Sequence, residues 1–263
     1  MQGPNLMFKR ILPYKDLFLV YVWREFSIRY RQSVIGVLWA VVQPLSMMLL
    51  FTFVFTYIIS VPISDSPRPI FFYAGLLPWT FFASSANYSL TSLTGNYALI
   101  TKIYFPREIL PLAGVALAFA DYIIASVIFF VMLAAYGIGL TLNALWIFPL
   151  LALLFVFTTS VCLVLSSLNV YYRDVKLATG FFIQLLFFAS PVIYSIDKLS
   201  TKLKLVLFLN PLTFIIENMR RCLIEGRGVV LWQFILVGVI VAAFYYLAYR
   251  FFIKTERDFA DVI

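Results

Sequence analysis

Three arginines, Arg24, Arg29 and Arg31, are the first side chains in this sequence with a chemistry of their own. A guanidinium is a planar fork that meets the oxygens of a phosphate two at a time. The same residues also suit the anionic headgroups flanking a membrane segment, and both readings stand at this point. Asp121 is a lone acid inside a long apolar run, where such a group costs about 2.5–3.5 kcal/mol on insertion scales. A proton relay would use it, but histidine is absent from the chain, so a structural pair with a basic or polar group on a neighbouring helix is expected. Lys102, Tyr104, Phe105, Pro106, Arg107 and Glu108 form a third group. An exposed Tyr104–Phe105 pair would anchor a protein contact whose register the charges set, although aromatic and basic residues also flank membrane spans. Cys162 and Cys222 have no ligand spacing and read as buried free thiols. None of the 11 glycines opens a GxxxxGK loop that would cradle a nucleotide phosphate. No catalytic residue, metal site or bound cofactor is therefore expected, and any driving energy has to come from another polypeptide.

These groups are carried by a very apolar chain of 263 residues, 63% hydrophobic and only 12% charged. Its continuous apolar runs reach the length of about 20 residues that a membrane helix needs and exceed a barrel strand. Hydrocarbon offers the backbone no partners, so the expected class is an all-α integral membrane protein. Six spans are read at 34–60, 70–93, 112–136, 145–168, 178–194 and 229–252, in one membrane domain covering 1–263. Residues 1–33 mix basic and aromatic residues in the manner of an amphipathic interfacial helix. The link around Ser64 and Asp65 is polar, and Pro44 falls inside the first span. Ser84, Ser85, Tyr88, Thr91 and Ser92 form a polar stripe late in the second, suited to packing on another helix or to a lumen. In 195–228, Asn210 and Pro211 make a helix start, and Glu217 can pair with Arg220 or Arg221 on a polar face. This stretch reads as short re-entrant helices at the outer interface.

Thirteen of the 20 Lys and Arg fall in 1–33, 95–111, 169–177 and 250–263, against seven on the other side, which predicts both termini in the cytoplasm. The formal charge of +8 then reads as headgroup contact rather than nucleic-acid binding. The early Lys9–Arg10 pair lacks the apolar core and cleavage site of a signal peptide. No repeat links the two halves, so the inverted duplication of many secondary transporters is not visible.

Six stretches resemble, in order and spacing, the permease subunits of type-2 ABC exporters of polysaccharides, the Wzm-type O-antigen, teichoic-acid and capsule permeases. They are RYRQSVIGVLWAVVQPL (Arg29 to Leu45), YAGLLPWTFF (Tyr73 to Phe82), LITKIYFPREILPL (Leu99 to Leu112), NVYYRDVK (Asn169 to Lys176), SPVIY (Ser190 to Tyr194) and LNPLTFIIE (Leu209 to Glu217). The resemblance implies a homodimer in the cytoplasmic (inner) membrane, docked on two separate ABC ATPase subunits that bind ATP and Mg. It makes Leu99 to Arg107 a cytoplasmic coupling helix seated on the ATPase. It also makes Arg24, Arg29 and Arg31 candidates for the pyrophosphate of a lipid-linked polysaccharide where that substrate enters. Tyr57, Trp79, Phe82 and Tyr88 become candidates for a channel lining, because aromatic faces meet the C–H faces of sugar rings. Each is equally a candidate for core or lipid-facing packing. An exporter of drugs or simple lipids shares this architecture, a proton-coupled transporter acting alone would depend on Asp121, and an intramembrane transferase lacks the acids or histidine it would need.

Overall fold

The computed structural model describes residues 6–31, 33–59, 66–197 and 199–259. The expected link at Ser64 and Asp65 and the last residues, 260–263, lie outside the described residues. Within them the regular elements are all helices: α1 (Leu6–Ile11), α2 (Lys15–Tyr30), α3 (Trp39–Phe53), α4 (Arg68–Leu90), α5 (Tyr97–Lys102), α6 (Ile109–Ala135), α7 (Ile147–Tyr171), α8 (Asp174–Phe188), α9 (Thr201–Leu207), α10 (Pro211–Leu223) and α11 (Leu231–Thr255). Four stretches among the described residues are long and apolar enough to cross a membrane: Gly36–Ile58, Ile109–Ala135, Leu142–Tyr171 and Leu231–Asp258. This is a multi-pass membrane protein.

The central helix is the less apolar α4, which packs against α6, α7, α3 and α10. Most of its length is buried, including Ser85 and Ser89 in its polar half. A helix enclosed by protein can carry hydroxyls that lipid would penalise, since its neighbours offer close packing and hydrogen bonds. The approach of α6 is very close here. The Ser89 hydroxyl donates to the Pro111 carbonyl at 2.8 Å. A Cβ at Gly114 would lie 3.0 Å from the Ser89 nitrogen and hydroxyl, so a larger residue here fits only if α4 gives by a few tenths of an ångström.

At about 1.5 Å per residue, the 15 residues of α8 span less than a bilayer core. Beyond it the chain turns through 189–194 and returns as α9 and α10. The Asn210 side chain accepts from the Leu212 N–H at 3.0 Å and caps α10, as the Asn–Pro pair predicts. The polar face expected for α10 is not exposed. Glu217 and Arg220 pair at 3.8 Å, but both are buried. The reason is that α10 is wrapped by α4, α7 and α11 instead of resting on one of them.

Two apolar clusters form. The larger fills the bundle between α4, α6, α7 and α10. The smaller gathers Met7, Tyr21, Leu93, Phe105, Ile109, Phe252 and Phe259, so the first and last described residues share one end of the bundle.

Candidate functional site

At that end α2 lies across the start of α6 and the end of α4, leaving a cavity of about 390 Å³. Arg24, Arg29, Asn87, Tyr88 and Asn96 are among its lining residues. Arg24 Nη2 donates to Asn96 Oδ1 at 2.6 Å and to Glu25 Oε1 at 2.8 Å, while its buried Nε has no partner among the described residues. Its guanidinium carbon sits 4.5 Å from the Tyr21 ring centroid. Arg29 stacks over Tyr88 at 4.5 Å, with Nη2 4.0 Å from Asp121 Oδ2. Two cations on aromatic faces beside amide side chains can take an anionic headgroup and the polar atoms next to it.

Asp121 has the structural partners expected of it. The Tyr30 hydroxyl donates to Oδ1 at 2.5 Å, and the Tyr88 hydroxyl lies 3.5 Å from Oδ2. This acid therefore fixes the tyrosines and Arg29 around the cavity. Arg31 does not line the cavity and is exposed. Two residues apart on a helix, side chains diverge by about 200°, so Arg29 and Arg31 cannot share a face.

The four aromatic candidates separate. Tyr88 faces the cavity, and Tyr57 is exposed in the π-helical turn after α3. Trp79 and Phe82, one helical turn apart on α4, are buried in the core. Trp79 meets Phe187 edge-on at 5.3 Å, and Phe82 stacks on Phe157 at 5.9 Å.

The segment 97–108 is helical only as far as Lys102, after which the chain runs non-helically to Pro106. The expected exposed pair is split: Tyr104 is 89% exposed and Phe105 only 4%. Successive side chains of extended backbone point opposite ways, so one enters the small core cluster while the other faces out. Lys102 is exposed and Pro106 buried. The charges at 107 and 108 turn inward. The Arg107 N–H donates to Glu256 Oε1 at 3.0 Å, and its guanidinium donates to the Glu256 carbonyl. Glu108 is fully buried, 3.5 Å from Arg10 Nε, while Arg10 makes shorter contacts to Glu256. Sequence reasoning missed Glu256 and Asn96, since no local spacing links either to its arginine partner.

Burial, with the Glu256 carboxylate adding to it, pushes the Glu108 carboxyl up to about 7 against the pull of Arg10. The fold therefore holds a proton that the unfolded chain releases from about pH 4.5 upward. Stability conferred by that proton is complete below pH 4.5 and is lost as pH rises to about 7. The thermal midpoint of the detergent-solubilised protein should fall between pH 5 and pH 8, by the equivalent of about 1–3 kcal/mol. Glu108→Gln should flatten that slope; an unchanged slope would show that Glu108 is ionised throughout.

The ABC-2 type transporter family matches residues 16–224. An O-antigen export system permease protein RfbA of Klebsiella pneumoniae is 31% identical over 244 residues, covering 90% of this chain and 93% of that protein. A protein of the same name from Myxococcus xanthus is 27% identical over 258 residues, 97% of this chain and 98% of its own. The polysialic acid transport protein KpsM of Escherichia coli is 23% identical over 207 residues, 77% of this chain and 79% of its own. The family match begins in α2, runs through the cavity and the segment 97–108, and ends just beyond α10. With that match over most of its length and four spans apolar enough to cross a membrane, this chain belongs to the ABC-2 type transporter family.

Proposed function

We propose that this chain is the membrane-spanning permease subunit of an ATP-driven exporter carrying a lipid-linked, O-antigen-like polysaccharide across the cytoplasmic membrane. The observation that carries the reading is end-to-end similarity to proteins named as O-antigen export permeases, within a shared transporter family. In this reading two copies form the pathway, each crossing the membrane six times with both termini in the cytoplasm. Two ABC ATPase subunits hold ATP and Mg, and this chain performs no bond chemistry. The single domain spans 1–263, with α1 and α2 at the interface and α9 and α10 as re-entrant helices on the outer side.

Pairing is supported by α8, whose Phe181, Phe182, Leu185 and Phe188 are exposed and whose one buried residue is Thr179. Lys102 and the protruding Tyr104 support docking of the ATPase on 97–104. Arg24 and Arg29 support capture of the substrate's pyrophosphate in the cavity under α2, with Tyr88 beside them for the first sugar. Tyr57 remains a candidate for the channel wall.

The test is reconstitution in vesicles with and without the ATPase subunit. Export of an undecaprenyl-pyrophosphate-linked oligosaccharide is expected only with both proteins and ATP. Combining Arg24→Ala with Arg29→Ala should raise the oligosaccharide concentration for half-maximal ATPase stimulation by about tenfold or more, the scale of one or two charge-assisted hydrogen bonds. Stimulation by small hydrophobic compounds alone would overturn the substrate assignment, and flux without the ATPase would overturn the reading altogether.

A further inference from the structure

Glu256, in the turn that follows α11, is the point where three remote pieces of chain meet. Its carboxylate accepts from Arg10 Nη2 at 3.2 and 3.0 Å and from the Arg107 N–H at 3.0 Å. Its carbonyl accepts from the Arg107 guanidinium. Arg10 also approaches buried Glu108, so one compact cluster joins α1, the turn before α6 and the end of α11. The turn carrying Glu256 is itself fixed. Phe259 is fully buried against Phe252 and Tyr171, at 5.6 and 6.3 Å between ring centroids. The Tyr171 hydroxyl donates to the Thr255 carbonyl at 3.3 Å.

Isolated ion pairs near a surface add little stability. What a shared, largely shielded carboxylate with several donors supplies is defined geometry. That geometry matters because of what lies three residues upstream of Arg107. Tyr104 projects outward, whereas Phe105 and Pro106, between it and Arg107, are buried. With Ile100 also buried in the smaller apolar cluster, the segment 97–104 has little slack before it reaches Glu256.

We propose that Glu256 is a positioning residue for energy coupling, clamping Arg107 and Arg10 so that the segment 97–104, α1 and the end of α11 move as one body. The inference rests on the reading that this segment meets the ATPase. A displacement delivered at Tyr104 then reaches α11 directly and is not absorbed by bending between α5 and α6.

The test uses the permease–ATPase complex in vesicles with ATP and an undecaprenyl-pyrophosphate-linked oligosaccharide. With Glu256→Gln the complex should hydrolyse ATP within about twofold of the native rate, while glycan moved per ATP falls about tenfold, an ordinary size for coupling between sites. Unchanged glycan per ATP would overturn the clamp, as would a loss of hydrolysis that accounts for the whole loss of transport. A second measurement keeps Glu256 intact: spin labels at Thr101→Cys and Arg257→Cys, both exposed positions. Their separation should stay fixed when ATP and vanadate are added, and a shift on nucleotide binding would overturn the proposal. If Tyr104→Ala leaves the ATPase bound as in the native protein, the docking reading fails. The clamp as an energy-coupling device then falls with it, whereas weakened docking in Tyr104→Ala with unchanged glycan per ATP in Glu256→Gln overturns the clamp alone.

Discussion

Replacing Arg220 by leucine is expected to remove about 3–5 kcal/mol of folding stability, the usual cost of taking one partner from a buried ion pair. Few side chains in this protein are so thoroughly engaged. Arg220 is 3% exposed, and its Nε donates to the Phe71 carbonyl at 3.2 Å. Nη1 donates to the carbonyls of Pro191 and Tyr194, and Nη2 donates to that of Val192. The guanidinium carbon lies 3.8 Å from the Phe71 ring centroid, with Glu217 beside it. Pro191, Val192 and Tyr194 come after the end of α8, where no helical ladder continues to satisfy their carbonyls. Leucine would fill part of the volume but leave these acceptors without a donor, and the buried Glu217 carboxylate without its counter-charge. A loss of that size is a large fraction of the roughly 5–15 kcal/mol that holds an ordinary domain together. Little monodisperse protein should then be recovered in detergent, with a depressed thermal midpoint. Arg220→Lys, which keeps the charge but not the planar fork, should fall between leucine and arginine. A leucine variant with native yield and midpoint would show that the loop 189–194 finds other donors.

Arg220 also marks where the sequence ceases to be readable. The helices Ile109–Ala135, Ile147–Tyr171 and Leu231–Thr255 lie close to the apolar runs 112–136, 145–168 and 229–252, because an unbroken hydrophobic run is a local property. The Asn210 cap is local too, set by one side chain two residues from its donor. Burial of Glu217 and Arg220 is not local. It follows from α4 and the 189–194 turn closing over α10, so an i, i+3 charge pair that would ordinarily face water is enclosed. The burial of Phe105 and the part played by Glu256 are missed for the same reason, since their partners are set by how α1, α6 and α11 converge. The candidate cavity was half legible. Arg24 and Arg29 stand out as arginines close to a span, but that Arg31 points elsewhere depends on α2 being helical through Tyr30. That Arg29 rests on Tyr88 depends on how α2 crosses α4 and α6. Trp79 and Phe82 show the opposite limit. Aromatic type suits both a sugar-lined wall and a packed core, and the faces that α4 turns toward α7 and α8 put these two in the core.

Truncating Tyr104 to alanine should weaken capture of the ATPase subunit by about 2 kcal/mol or more, roughly thirtyfold in Kd. The fold should hardly register the change. With Tyr104 89% exposed, its truncation removes few contacts and should stay within about 0.5 kcal/mol of native stability. Phe105→Ala should do the reverse. Its ring is buried among Ile109, Phe252 and their neighbours, so its loss opens a cavity at about 3–5 kcal/mol and lowers the thermal midpoint before any effect on docking. The contrast between adjacent aromatics separates an interface from a core without presupposing the partner's structure. Tyr136→Ala is the control, an exposed tyrosine beyond the far end of α6, and it should bind the ATPase as the native chain does. Titration of the purified ATPase onto each detergent-solubilised variant gives the three affinities. Native affinity for Tyr104→Ala would move the docking surface away from 97–104. Lys102 would then read as a headgroup contact.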